Sequence, residues 1–353
     1  METFEELMQK AIAMFASDLH LSSGRAPSCR VYGTITAMGD KKLVPADIDQ
    51  IAASIMNKHQ METFNEDGEV DFAYSIFSLG RFRVNVFRQR NSTALVARIL
   101  NLEIPSPDKL GIPDSVVQMV HKKRGLVLVT GATGSGKSTT LASLIDIINS
   151  TYSDHIITLE DPIEYLHKHK KSIVNQREMG SDSKTYSSAL RAALRQDPDV
   201  ILVGEMRDLE TIAIAITAAE TGHLVFSTLH TIGAANTIDR IIDVFPPYQQ
   251  QQIRTQLADV LECVVSQQLL PKQSGKGRVA AIEVMITNSA IKNHIREAKT
   301  FQIPSVLQTN RKIGMQTMDD AIYDLFLRGE IDADTALLFA QDSGALGKKI
   351  HAF

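Results

Sequence analysis

Apolar residues recur at helical spacing from the start of the chain, with Phe4, Leu7, Met8, Ala11, Ile12 and Phe15 on one face, and so predict an amphipathic helix within residues 1–21. Short β-type runs follow at 18–22 and 31–36 around a Gly/Pro/Ser turn, then a helical stretch after Pro45 and strand-like runs at 70–76, 82–87 and 94–100. In Arg81-Phe82-Arg83-Val84-Asn85-Val86 strict alternation sends the apolar side chains to one face and Arg81, Arg83 and Asn85 to the other. The first hundred residues therefore read as a small α+β domain. Pro105, Pro107, Gly111 and Pro113 mark a linker, placing domain boundaries at 1–103, 104–115 and 116–353. Beyond it, apolar strands at 126–130, 156–159, 200–203 and 224–227 alternate with helical patterns, the signature of a parallel sheet covered on both sides. From about residue 247 the pattern is mostly helical, broken by one strand-like run at 278–285.

Composition narrows the class. With 353 residues, 44% hydrophobic and 22% charged, the chain has the profile of a two-domain globular protein, neither disordered nor fibrous. The formal net charge, 37 minus 41, is -4, and no Lys/Arg block exceeds the one in His121-Lys122-Lys123-Arg124. That offers no electrostatic footprint for bulk nucleic-acid binding. Cys29 and Cys263 are too few for a structural zinc site and are expected to be two reduced thiols of a cytosolic protein. Glu2, Glu5 and Glu6 at the N-terminus are the wrong charge for a signal peptide. No apolar run approaches the ~20 residues of a membrane span, so membrane contact is expected to be peripheral or through a partner.

The strongest chemical signal is Gly131-Ala132-Thr133-Gly134-Ser135-Gly136-Lys137-Ser138-Thr139, directly after an apolar strand and before a helix beginning near Lys137. This is the P-loop pattern in its required context. Its glycines let successive N–H groups turn toward phosphate oxygens at a helix N-terminus. Lys137 is expected to neutralise β/γ-phosphate charge and Ser138 to give an oxygen to Mg²⁺, making ATP with Mg²⁺ the expected ligands. Glu205 follows the buried strand 200–203 and is expected at the Mg²⁺ sphere or the attacking water. In Glu160-Asp161-Pro162-Ile163-Glu164, Glu164 is a candidate to orient or deprotonate water, while Asp161, Pro162 and Glu164 also fit a helix-capping box. His223 and His230 flank one strand and, at ~3.3 Å per residue, cannot reach one phosphate together. His230, at the C-terminal tip, is the candidate γ-phosphate sensor. Developing charge on a transferring phosphoryl group calls for an arginine, and Arg81 and Arg83 are the candidates, acting on a neighbouring subunit; Arg88, on the other parity, is the weaker one.

Taken together these motifs resemble the secretion-type ring ATPases and, within them, the type IV pilus retraction (twitching motility) ATPases. The resemblance spans nearly the whole chain. It rests on Ala16 to Leu21, Gly80 to Phe87, the P-loop, Leu159-Glu160-Asp161-Pro162-Ile163-Glu164, Gly204-Glu205-Met206-Arg207-Asp208, Gly222 to Thr231 and Gly314-Met315-Gln316-Thr317-Met318-Asp319. It implies an N-terminal PAS-like domain, a RecA-like P-loop ATPase domain with a helical C-terminal part, and a homohexameric ring. It further implies pilin disassembly at the cytoplasmic face of the inner membrane, with a membrane platform protein and the pilus base as partners. Ala290-Ile291-Lys292-Asn293-His294-Ile295-Arg296-Glu297 matches the family's C-terminal motif except at Lys292 and His294, and the resemblance gives it a role in coupling hydrolysis to retraction, with Ile295 on its output surface. Two other readings compete. A RecA-like nucleic-acid motor would need stacking platforms, but aromatics are 6% and Trp is absent. A regulatory ATP switch accessory to retraction is disfavoured by the intact Lys137, Glu164, Glu205 and His230 set.

Overall fold

The structure, a computed structural model, describes residues 2–77, 79–100 and 103–351. It divides into two compact units. One is Met1–Glu103 with Glu164–Leu166; the other is Ile104–Ile163 with His167–Phe353. Asn101 and Leu102, just before the expected linker, lie outside the described residues.

In the first unit, β1 (Ala16–Leu21), β2 (Ser28–Val31), β3 (Thr34–Ala37), β4 (Glu69–Ile76), β5 (Gly80–Gln89) and β6 (Ser92–Ile99) form one antiparallel sheet in the order β3-β2-β1-β6-β5-β4. The helices Phe4–Ala13, Pro45–Ile55 and Lys58–Asp67 supply Phe4, Leu7, Met8, Ile48 and Phe64 to a core shared with Leu19, Phe82, Val84, Val86 and Leu95. This is the expected PAS-like α+β fold. The expected strand at 31–36 is interrupted by the hairpin turn at Tyr32 and Gly33, both at positive φ, so that Val31 closes β2 and residues 34–36 lie in β3. The first helix ends at Ala13; Phe15 is 77% exposed at φ 56° and takes no part in the apolar face predicted for it.

The second unit holds β7 (Gly125–Thr130), β8 (His155–Glu160), β9 (Ile173–Glu178), β10 (Val200–Val203), β11 (Leu224–Leu229), β12 (Leu261–Pro271) and β13 (Arg278–Ile286), ordered β13-β12-β7-β11-β10-β8-β9. All neighbours run parallel except the β12–β13 hairpin. Helices pack on both faces: Ile212, Ala215 and Ile238 meet one side, Leu141, Leu144 and Ile148 the other. Parallel strands need such crossovers, which explains their unbroken apolar runs. Two strands differ from the sequence reading. The edge strand β9 was hidden in a polar stretch, and β12 follows the helix Pro247–Val260 without a turn residue, so the region after 247 is helical only to Val260 and again from Ser289. Pro107 opens a one-turn helix, Pro107–Leu110, inside the stretch read as linker.

Candidate functional site

A parallel sheet collects the C-terminal ends of its strands at one edge, and there the chain places its chemical residues. Thr130 at the end of β7 leads into the P-loop, whose helix runs Lys137–Thr151. Gly131, Gly134 and Gly136 have φ of 143°, 78° and 90°. A Cβ on Gly131 would fall 2.3 Å from the Gln267 carbonyl oxygen, and one on Gly136 would fall 2.8 Å from Gln267 Nε2. Glycine is therefore required here by backbone conformation and by space alike. Lys137 is buried and its Nζ donates to the carbonyls of Gly131 at 2.8 Å and Ala132 at 3.0 Å. Ala132, Thr133 and Gly134 are exposed, Ser135 is buried, and Ser138 and Thr139 are half-buried on the first helical turn.

Glu205 lies two residues past β10, its carboxylate accepting from Arg207 Nε at 2.5 Å and meeting His230 Nε2 at 3.3 Å. His230 follows β11 directly, so adjacent strand tips bring these two predicted residues together. The bonds Thr228 Oγ1 to the Gly204 carbonyl, 2.6 Å, and Met206 N to the Thr228 carbonyl, 3.1 Å, lock those tips to each other. The helix after Glu205 is capped by Asp208, which accepts from Thr211 N at 2.8 Å. His223, at the opposite end of β11, bonds to the Ala218 carbonyl at 2.9 Å.

Glu164 is exposed and belongs with the N-terminal unit. The capping box proposed around it is absent: no helix starts at 161–164, the Asp161–Pro162 bond is cis, and Ile163 N donates to Glu178 Oε2 at 2.9 Å. Arg81 and Arg83 lie on the polar face of β5, as their parity requires. Arg81 Nη1 donates to Ser75 Oγ at 3.3 Å, and Arg83 pairs with Asp71 at 3.8 Å. Arg88 is exposed over the Phe64 ring, 4.9 Å from its centroid.

Three contributors escaped the sequence reading. Tyr186 lies within 2.8 Å of where a Cβ on Gly204 would be, and burial, reinforced by Glu205, Asp161 and Glu160, pushes its phenol above the usual range. Gln267 on β12 donates from Nε2 to the Ser135 carbonyl at 2.5 Å and accepts at Oε1 from Thr140 Oγ1 at 2.9 Å. Glu283 on β13 accepts from Ala234 N at 2.7 Å and Met318 N at 3.2 Å. None sits in a local motif; each is defined by distant partners. Conversely, Ile291 and Ile295 of the C-terminal motif are fully buried among Ile253, Leu257 and Ile303, so that face is core rather than an output surface.

No cluster of three or more His, Cys, Asp and Glu suited to a metal occurs among the described residues. The donor set nevertheless fits a phosphate-bound Mg²⁺, which takes one or two protein oxygens and completes its shell with phosphate and water. The Ser138 hydroxyl and the Glu205 carboxylate could supply such oxygens.

A family model described as "Type II/IV secretion system protein" matches residues 2–332. The chain belongs to that family. It is 47% identical to "Twitching motility protein" of Neisseria gonorrhoeae, covering 91% of this chain and 86% of that one. It is 47% identical to "Type IV pilus retractation ATPase PilT" of Pseudomonas aeruginosa, covering 94% and 96%. The structure superposes at a TM-score of 0.92 and 51% identity, over 99% of this chain and 100% of the other, on "Crystal Structure of the Pilus Retraction Motor PilT and Bound ADP". For this member of the secretion-system family, the two-unit architecture with a RecA-like sheet in the second unit follows from both the fold and the comparison.

Proposed function

We propose that this protein is an ATP hydrolase that works as a homohexameric motor, driving type IV pilus retraction and twitching motility. The observation that carries this reading is the convergence of the P-loop, Glu205 and His230 on one sheet edge, in a chain that aligns end to end with a retraction ATPase. ATP and water give ADP, phosphate and a proton. Lys137, buried at the loop, supplies the cation facing the transferred phosphoryl group, where charge stabilisation is most of the catalysis. When bound, Mg²⁺ would be held by Ser138 and Glu205 and would neutralise charge on the β- and γ-phosphates. Glu205 and Glu164 are the carboxylates for orienting or accepting a proton from water. His230, bonded to Glu205, is placed to register the γ-phosphate. A cavity of about 750 Å³ adjoins the P-loop at Gly136, Thr139 and Thr140, its wall carrying Arg278 and Arg328 together with Asp108, Asp114, Asp324 and Glu330.

Partners follow from the same reading: a second copy on each side, the inner-membrane platform protein and the pilus base. No helix among the described residues is long and apolar enough to cross a membrane, which accords with action at the cytoplasmic face through partners. The test is deletion of the gene in its host, scoring surface pili and twitching. Loss of motility with excess pili is expected. Unchanged motility and pilus number would overturn the assignment.

A further inference from the structure

The hairpin β12–β13 carries three consecutive or facing polar side chains that the fold buries completely. Ser266 is 0%, Gln267 2% and Glu283 4% exposed, and Ser266 and Glu283 are register partners. A buried polar group is costly unless paired, and each of these is paired to a loop at the nucleotide edge. Gln267 spans the P-loop, holding the Ser135 carbonyl with its amide N–H and the Thr140 hydroxyl with its oxygen. Ser266 Oγ accepts from Gly233 N at 2.9 Å. Glu283 takes the next amide, Ala234 N, with one oxygen and Met318 N with the other. The residues 231–234 so held connect His230 to the helix Ala234–Asp243.

The chemistry of each side chain matches its task. Gln267 must donate on one side and accept on the other, which an uncharged amide does and a carboxylate cannot. Glu283 must accept from two N–H groups at two helix N-termini, Ala234–Asp243 and Met318–Leu327, where a carboxylate also meets favourable helix dipoles. Burial pushes the Glu283 carboxyl up, and the bonds from Ala234 and Met318 oppose that.

We propose that Gln267 and Glu283 are positioning residues of the ATP site, Gln267 fixing the P-loop for phosphate binding and Glu283 fixing the His230 loop for turnover. The inference rests on the reading of this site as an ATPase. It assigns the two residues opposite kinetic signatures, although both are buried hydrogen-bonding groups on the same hairpin. Loss of the Gln267 brace frees the loop whose amides cradle phosphate, so affinity falls. Loss of the Glu283 brace leaves the P-loop intact and lets His230, and with it Glu205, drift, so the chemical step slows.

The experiment measures ADP affinity by calorimetry and steady-state ATP hydrolysis for the full-length protein and for Gln267→Ala, Gln267→Glu, Glu283→Gln and Glu283→Asp. Asn149→Ala is the control: it removes a buried side chain that bonds Lys168 and Lys170 at the far end of the P-loop helix. Gln267→Ala and Gln267→Glu should raise the ADP Kd and the KM for ATP about tenfold with kcat nearly unchanged. Glu283→Gln should leave Kd unchanged and lower kcat about tenfold, and Glu283→Asp should recover part of that loss because it keeps an acceptor-only group. Asn149→Ala should lower the melting temperature alone. If the variants lose only thermal stability, with Kd and kcat per folded molecule as in wild type, the proposal is overturned. It is equally overturned if both residues affect Kd and kcat alike. A wild-type protein without ATP turnover would instead sink the ATPase reading itself. Should either alanine or glutamine variant fail to fold, the Gln267→Glu and Glu283→Asp pair decides.

Discussion

Lys137 shows how much of the site depends on one atom. Its ammonium is buried and held by two loop carbonyls, and on the proposed reading it is the cation that meets the transferred phosphoryl group. Lys137→Ala should abolish hydrolysis. Glu205→Gln keeps the shape but removes the charge that meets Arg207 and His230, so nucleotide should still bind while turnover is lost. Affinity and steady-state rate measured together check both; a variant retaining over about a tenth of the wild-type rate, a loss under ~1.4 kcal/mol, contradicts its assignment. Away from the site, His167 offers a pH test. Burial lowers its imidazole from 6.5 to about 4, with Lys170 adding to the shift and Asp146 opposing it. The folded protein therefore holds it neutral where the unfolded chain would protonate it. Stability from this residue is intact above pH ~6.5 and declines as pH falls toward 4, by up to ~3 kcal/mol in total. Urea midpoints between pH 7 and 4.5 should fall less steeply in His167→Gln; parallel curves would remove His167 as the cause.

At the scale of elements, what the sequence made legible was what is local. The P-loop declares itself because nine adjacent residues carry its chemistry, and β5 because period-2 alternation needs only its own residues. Glu205 and His230 were readable from strand-end position, since adjacent parallel strands deliver their tips to one edge. Gln267 was not, because its bond to Thr140 spans 127 positions and its strand begins without a punctuating residue after a helix. The helix Ser289–Arg296 shows the converse failure: amphipathic spacing says that Ile291 and Ile295 share a face but not what covers it. Both are 0% exposed. Ile295→Ala should therefore destabilise the fold by ~2–5 kcal/mol, while Asn293→Ala, on the exposed side of the same helix, should stay within ~0.5 kcal/mol. Denaturant melts decide, and an Ile295→Ala protein as stable as wild type would return that face to the surface.

On the proposed reading, two units and several copies of the whole molecule share one reaction. The P-loop, Glu205 and His230 belong to the second unit, whereas Arg81 and Arg83 belong to the first. Across the first unit's sheet, register aligns Arg30, Asp18, Arg98 and Arg83, so one face carries a row of arginines with Asp18 and Asp71 as its acidic partners. Asp18 is committed: burial would raise its carboxyl, but bonds from Ser17 and Arg98 outweigh that and hold it below the usual range. Arg83 is less committed, since its pair with Asp71 is 3.8 Å long and half exposed, and such pairs contribute ~0–1 kcal/mol. A guanidinium so lightly held can be drawn to a phosphate at small cost. If it acts on a neighbour's nucleotide, subunits defective in different parts should complement each other. Lys137→Ala protein and Arg81→Ala/Arg83→Ala protein, each inactive alone, should regain partial ATPase activity when mixed, because some interfaces then pair an intact P-loop with an intact arginine strand. Mixing is verified by mass spectrometry of differently tagged subunits. Proven mixed rings without recovered turnover would assign the arginines to their own subunit's site or to none, and would leave Arg83 a solubilising member of an exposed basic face.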